Sequence, residues 1–255
     1  MSESVFSDLS PSPSSSGGTP LVEWKTGPFV FGFGKKTLSM EALAAKYPAL
    51  QWEHLKQIHS ATVVESTGPS DPRSNIGAYA LIEADAHFTV KPKLGVVVKT
   101  ADCVPVLIAA PSTTGPHAVC AIHAGWRGVN TDIVQASVKA LLERGYAPTR
   151  MIVALGPHIR LQSFEVGLDV ARDLKAAAKR AGVANPQSVI YSHKTDTAKR
   201  MVDLETIVRH QLMFYQIPAA NIHTLPIDTL TTPEWASFRR DGANAGRNLS
   251  FVAVV

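Results

Sequence analysis

The sequence predicts an α/β fold of the mixed α+β kind, with layered mixed β-sheets flanked by helices. Two observations carry that reading. Short apolar runs recur through the first half, several of them apolar throughout, as strands covered on both faces require. The helical segments gather later in the chain and do not alternate regularly with strands, which favours mixed sheets over repeated βαβ units. No Pro/Gly/Ser-rich linker interrupts residues 21–255, so they read as one catalytic-sized domain.

Residues 1–20, MSESVFSDLSPSPSSSGGTP, carry acidic residues and no apolar stretch of the kind a secretory signal needs, and are read as a disordered tail. Strands are expected at 29–33, 58–64, 86–90, 94–98, 104–109 and 118–122. Between 129 and 144, Val129, Ile133, Ala136, Ala140 and Leu141 fall at helical spacing and Gly145 supplies a stop. Residues 151–155 read as a strand, 167–181 and 199–215 as helices, the second ending before Pro218, and 249–255 as a closing strand.

Charge and composition exclude several classes. The 25 Lys+Arg and 21 Asp+Glu give a net charge of +4 spread along the chain, without the basic cluster that nucleic-acid binding requires. The longest apolar stretch, 103–110, contains Pro105 and falls well short of the ~20 residues of a membrane span. Cys103 and Cys120 are the only cysteines, too few for a disulfide framework. The phosphate-binding loop, the dinucleotide Gly-x-Gly-x-x-Gly, the Gly-x-Ser-x-Gly elbow, His-Glu-x-x-His and the Pro-Cys-x-x-Cys of nucleobase deaminases are all missing.

Chemistry concentrates instead in Gln57-Ile58-His59-Ser60, Thr100-Ala101-Asp102-Cys103 and His123-Ala124-Gly125-Trp126-Arg127-Gly128. His59, Cys103 and His123 make a three-ligand zinc set with an open fourth position. Spacing alone favours the other reading, two hydrogen-bonded strand-end histidines and a small buried cysteine. Gly125 and Gly128 before a helix, with Arg127 between them, fit either an anion site or a glycine turn. Phe238-Arg239-Arg240-Asp241-Gly242 and Gly246-Arg247 place three arginines in a glycine-rich loop.

The segments KQIHSATVV, EADAHFTV, KTADCVPVLIAA, AIHAGWRGV, ALGPHIRLQSFEVG and FRRDGANAGR resemble, in order, the motifs of the laccase-domain or multicopper polyphenol oxidase family, whose members are better described as zinc-dependent purine nucleoside phosphorylases. The resemblance covers about residues 28–255. It implies a fold of the cytotoxic-necrotizing-factor type and a Zn²⁺ site on His59, Cys103 and His123. It also implies phosphorolysis of adenosine, inosine, guanosine or methylthioadenosine, with adenosine deamination as a further activity. The implied partners are a purine nucleoside and phosphate; the chain itself is expected to be a monomer or small homo-oligomer. Cys103 as a free thiolate ligand implies a reducing, cytoplasmic setting.

On that resemblance Lys36, Arg127 and Arg240 are candidates to hold phosphate, Asp102 and Cys103 stand in the catalytic centre, and Gln57, Asp85 and Asp241 orient ligands or recognise the base. Lys36 stands where the family has arginine, and His158, a further substrate-binding candidate, replaces a family cysteine in Gly156-Pro157-His158-Ile159. Gln162-Ser163-Phe164-Glu165-Val166 also departs from the family's Cys-Cys-Tyr-Glu-Val. Two other chemistries use the same three residues: copper-dependent oxidation of phenols, and a cysteine-type amidase acting on cell-wall precursors with Cys103 as nucleophile.

Overall fold

A computed structural model describes residues 19–68 and 82–255; of the expected tail, residues 1–18 lie outside the described residues. The chain forms β1 (Leu21–Thr26), β2 (Phe29–Gly34), α1 (Met40–Lys46), β3 (Gln51–His54), β4 (Val63–Glu65), β5 (Ala86–Thr89), β6 (Leu94–Thr100), β7 (Val104–Ala110), β8 (Ala118–Ala124), α2 (Trp126–Asn130) and α3 (Ile133–Glu143). After these come β9 (Ile152–Leu155), β10 (Glu165–Gly167), α4 (Leu168–Arg180), β11 (Ile190–Ser192), β12 (Lys199–Val202), α5 (Leu204–Met213), β13 (Ile222–Thr224), α6 (Phe238–Asp241) and β14 (Asn248–Val254).

Two mixed sheets, ordered β1-β2-β14-β6-β3 and β13-β9-β7-β8-β5-β4, pack face to face. Alternation puts Phe29, Phe31, Phe33, Val96 and Val98 of the first against Leu107, Ala109, Val119 and Ala121 of the second. The outer face of the first sheet, with Val30, Trp52, Val97 and Phe251, is closed by Leu43 of α1. The outer face of the second, including Val106, Ile108 and Cys120, is closed by apolar residues of α3, α4 and α5. This is why β7 and β8 are buried along their whole length and read as uninterrupted apolar runs. A Cβ on Gly32 would fall 2.1 Å from the Phe251 ring, so the ring occupies the space a side chain would take. No helix among the described residues is long and apolar enough to cross a membrane.

Three expected elements differ. Of the strand expected at 58–64 only Val63 and Val64 pair, because the backbone N–H groups of Ile58, His59 and Ser60 donate to the Asp85 carboxylate instead of to a neighbouring strand. The helix expected at 129–144 breaks at Asp132 (φ 63°), where the buried Gln211 amide donates to the Val129 carbonyl at 2.8 Å. The helix expected at 199–215 begins at Leu204, since Lys199–Val202 pairs with β10 and β11 and Asp203 caps the helix by accepting from the Thr206 N–H at 3.0 Å.

One core residue opposes folding. Glu53 on β3 is 0% exposed and its carboxylate oxygens have no hydrogen-bond partner. Burial pushes its carboxyl from the ordinary 4.5 up to about 7, with Lys91 pulling weakly the other way. The folded-state value lies above the unfolded one, so this group's contribution is most favourable below about pH 4.5 and is lost as pH rises towards 7. Glu53→Gln is therefore expected to gain stability over the parent by up to about 3 kcal/mol on going from pH 5 to pH 8, read by urea denaturation. An identical difference at both pH values would show that Glu53 is ionised in the fold.

Candidate metal centre and cavity

Three loops at strand ends bring the donors together. Asp85 precedes β5, which pairs with β8, and the His123 N–H donates to the Asp85 carbonyl at 2.7 Å. That pairing sets the His123 Nδ1–H against Asp85 Oδ1 at 2.8 Å, so Nε2 is left for another partner. Asp85 also accepts from the backbone N–H groups of Ile58 (3.2 Å), His59 (2.9 Å) and Ser60 (2.6 Å), and from the Ser60 hydroxyl (2.8 Å). These bonds hold His59 at φ 62°. His59 Nε2 lies 3.9 Å from Cys103 Sγ, and the two imidazole rings meet edge to face at 4.8 Å.

The ligand atoms of His59, Cys103 and His123 all lie within 4.8 Å of one another. Two imidazole nitrogens and a thiolate are the donors a borderline-soft ion such as Zn²⁺ takes, and they suit copper as well. The approach is kept clear by Gly125, where a Cβ would fall 2.9 Å from the His59 ring and 3.0 Å from Cys103 Sγ. Electrostatics prepare the donors. Burial opposes ionisation of Asp85, but His123 and the Ser60 groups outweigh it and hold the carboxyl at about 2. Burial likewise disfavours the Cys103 thiolate, yet His123 and His59 bring its thiol down to about 6. Burial lowers the proton affinity of His123, whereas Cys103 and Asp85 raise it to about 9.

The donors open onto a cavity of about 600 Å³. Its walls carry four cations, Lys99, Arg127, Arg239 and Arg247, and one acid, Asp102. Apolar surface comes from Leu55, Ile159 and Leu204 and from the rings of Trp126, Phe164 and Phe238, the last 57% exposed.

Of the residues singled out in the sequence, Gln57, His59, Asp102, Cys103, His123 and Arg127 line this cavity. The Gln57 amide is engaged by the main chain of Lys99, donating to its carbonyl at 2.7 Å and accepting from its N–H at 2.8 Å. Asp102 (φ 87°) accepts from the Thr229 hydroxyl and the Arg239 N–H, both at 2.7 Å, and so ties the Cys103 loop to the C-terminal segment. Asp85 sits behind the histidines, where it contacts them but not the cavity.

Four candidates are placed elsewhere. Arg240 spends its guanidinium on the carbonyls of Thr229, Leu230 and Trp235 and on the carboxylate of Asp241, which leaves both residues bracing the loop. Lys36 is exposed beyond the cavity wall, near Asp241. His158 is 1% exposed, donates from Nδ1 to the Gly156 carbonyl at 2.8 Å, and faces a separate recess that contains Glu205 and Arg160. Sequence reasoning missed Lys99, although it opens the KTADC segment next to Asp102 and Cys103, and chose Arg240 over its neighbours Arg239 and Arg247.

The profile of the family described as multi-copper polyphenol oxidoreductase laccase matches residues 36–255. A Bacteroides thetaiotaomicron protein named purine nucleoside phosphorylase is 34% identical over 172 residues, 67% of this chain and 60% of the relative. A protein of an unknown prokaryotic organism named adenosine deaminase RL5 is 33% identical over 172 residues, 67% of this chain and 62% of the relative. The chain thus spans about three fifths of the length of these relatives. The crystal structure of a Bacillus licheniformis hypothetical protein, YfiH, superposes with a TM-score of 0.76 at 20% identity, covering 89% of this chain and 93% of that one; it shares the fold.

Two outcomes follow from the donor geometry. Asp85→Asn is expected to weaken metal binding by about 10–100-fold, measured by competition with a chromophoric chelator, because His123 loses its orienting acceptor. In metal-free protein, iodoacetamide is expected to alkylate Cys103 with a midpoint near pH 6, while Cys120, whose thiol burial pushes up, stays unlabelled; added Zn²⁺ should protect Cys103. Equal labelling of both cysteines would contradict the assigned environments.

Proposed function

The chain belongs to the multi-copper polyphenol oxidoreductase laccase family, and from that premise we propose that it is a zinc-dependent purine nucleoside phosphorylase, a glycosyltransferase that moves ribose from purine to phosphate. The observation that carries the reading is the donor set of His59, Cys103 and His123 opening onto a cavity of about 600 Å³ whose walls combine four cations with three aromatic rings. That volume lies within the range of small-ligand sites, and the lining suits a planar base beside an anion. The name of the Bacteroides relative supports it, and that of RL5 supports adenosine deamination as a further activity.

His59, Cys103 and His123 would hold Zn²⁺, which supplies a Lewis acid with one open position when bound. Asp85 orients His123 through Nδ1 and fixes the His59 loop. Trp126, Phe164 and Phe238 offer ring faces to the purine, and Arg127, Arg239 and Arg247 hold phosphate and offset its charge. A phosphate oxygen bonds to ribose C1′ as the C1′–N9 bond breaks, and the departing purine takes up a proton. The products are the free base and ribose 1-phosphate. With water as nucleophile at C6, the C6–N6 bond would break instead, releasing ammonia and leaving inosine. A free thiolate at Cys103 fits a reducing compartment such as the cytoplasm.

Phenol oxidation at a multicopper cluster is less well supported, because His59, Cys103 and His123 are the only metal-competent group among the described residues. Incubation of Zn²⁺-loaded protein with adenosine and phosphate is expected to yield adenine and ribose 1-phosphate, with Cys103→Ala at least about a hundredfold slower by a chromatographic assay. Full activity in Cys103→Ala, or stoichiometric copper with negligible zinc in protein purified without added metal, would overturn the reading.

A further inference from the structure

Among the cations of the cavity, Lys99 is the one that the fold has least reason to place there. β3 ends at His54, opposite Val97, so on that side of β6 the main chain of Lys99 faces no strand. The Gln57 side chain takes the strand's place with its two bonds to the Lys99 N–H and carbonyl, and β14 pairs on the other side through Leu249. The residue is thereby fixed from both edges. Its ammonium is half-buried, which lowers its proton affinity, and among the described residues no carboxylate lies within ion-pairing distance; Glu41 acts only from further away.

The close polar neighbour of the ammonium is His54 Nε2, at 3.4 Å. Burial and Lys99 itself keep that imidazole neutral, so it aims the ammonium without cancelling its charge. The other cations have different surroundings: Arg127 is exposed and stacks on Trp126 at 4.7 Å, and Arg239 donates to the Glu165 carbonyl. A half-buried cation with no carboxylate in contact is less favourable in an empty cavity than in one that an anion fills.

We propose that Lys99, aimed by His54 and locked in place by Gln57, is a substrate-contacting residue that binds the anionic co-substrate, inorganic phosphate, in the cavity beside the metal centre. That the anion is phosphate rests on the phosphorylase reading; that Lys99 binds an anion does not. Two N–H bonds of the ammonium remain for phosphate oxygens after His54 has accepted one.

The test is isothermal titration of Zn²⁺-loaded full-length protein with inorganic phosphate, without nucleoside, alongside KM values for phosphate and adenosine. Lys99→Met is expected to weaken phosphate binding at least about tenfold, as loss of one charge-assisted hydrogen bond implies, with zinc content and the adenosine KM within about twofold of the parent. Lys99→Arg should recover most of the loss and guards against a misfolded methionine variant. Lys175→Met, which removes the same charge from the exposed face of α4, should change nothing. Unchanged phosphate binding in Lys99→Met, or no phosphate binding by the parent, overturns the proposal. If the parent binds phosphate through Lys99 yet cleaves no nucleoside, the phosphorylase reading fails and the anion site stands. If the parent phosphorolyses adenosine and Lys99→Met keeps its phosphate KM, the reading stands and Lys99 is excluded.

Discussion

The carboxylate of Asp85 is the interaction on which the centre depends. It is 0% exposed and accepts five hydrogen bonds, from three consecutive backbone N–H groups, one hydroxyl and one imidazole. Each side of this arrangement needs the other. The backbone donors of residues 58–60 would be orphaned in a half-buried loop without the carboxylate, and a buried carboxylate would not stay ionised without such donors. Because one group serves both histidines, their mutual geometry does not depend on the separate stability of two loops. The β5–β8 register supplies the rest, since it sets Asp85 beside His123 before any ligand is present.

Asp102 performs the corresponding task on the cysteine side. Its carboxylate reaches Thr229 and the N-terminal turn of α6, and its carbonyl accepts from the Ile159 N–H at 2.9 Å, so residues distant in sequence converge behind Cys103. Arg240 then cross-ties the same C-terminal segment through three carbonyls and Asp241. The arginines of this loop divide their work accordingly. Arg240, satisfied by its neighbours, gives the loop its shape, and Arg239 and Arg247 face the cavity as a result.

What was legible in the sequence is what periodicity and burial dictate. β7 and β8 are apolar at every position because both their faces are covered, and α4 shows its apolar stripe and ends within a residue of the expected place. Short edge strands escaped notice: β1 carries Glu23, Trp24 and Lys25 in sequence, and β3 places Glu53 in the core, against the pattern on which such readings rest. The loop of residues 58–62 was read as strand because its composition is that of a strand; only a side-chain acceptor 25 to 27 residues away, Asp85, diverts its backbone. The donor set was legible as residue types, but which cations face it was not. Lys99 and Arg240 differ in the partners that tertiary packing gives them, and nothing local records those partners.

Asp85, His123 and Cys103 alone would also compose an orienting acid, a base and a thiol nucleophile, the arrangement of a cysteine hydrolase. His59 favours the proposed metal site over that use. A non-glycine residue at φ 62° costs on the order of 1 kcal/mol, and the fold sustains it with bonds from Asp85 to the residue itself and to both its neighbours. The return on that strain is an imidazole Nε2 at 3.9 Å from Cys103 Sγ, over a glycine whose missing side chain leaves the space open. A thiol activated by His123 has no need of a second imidazole held in that way. The proposed metal ion would use both imidazoles together with the thiolate, and the strained backbone at His59 is what brings the second imidazole within reach of Cys103.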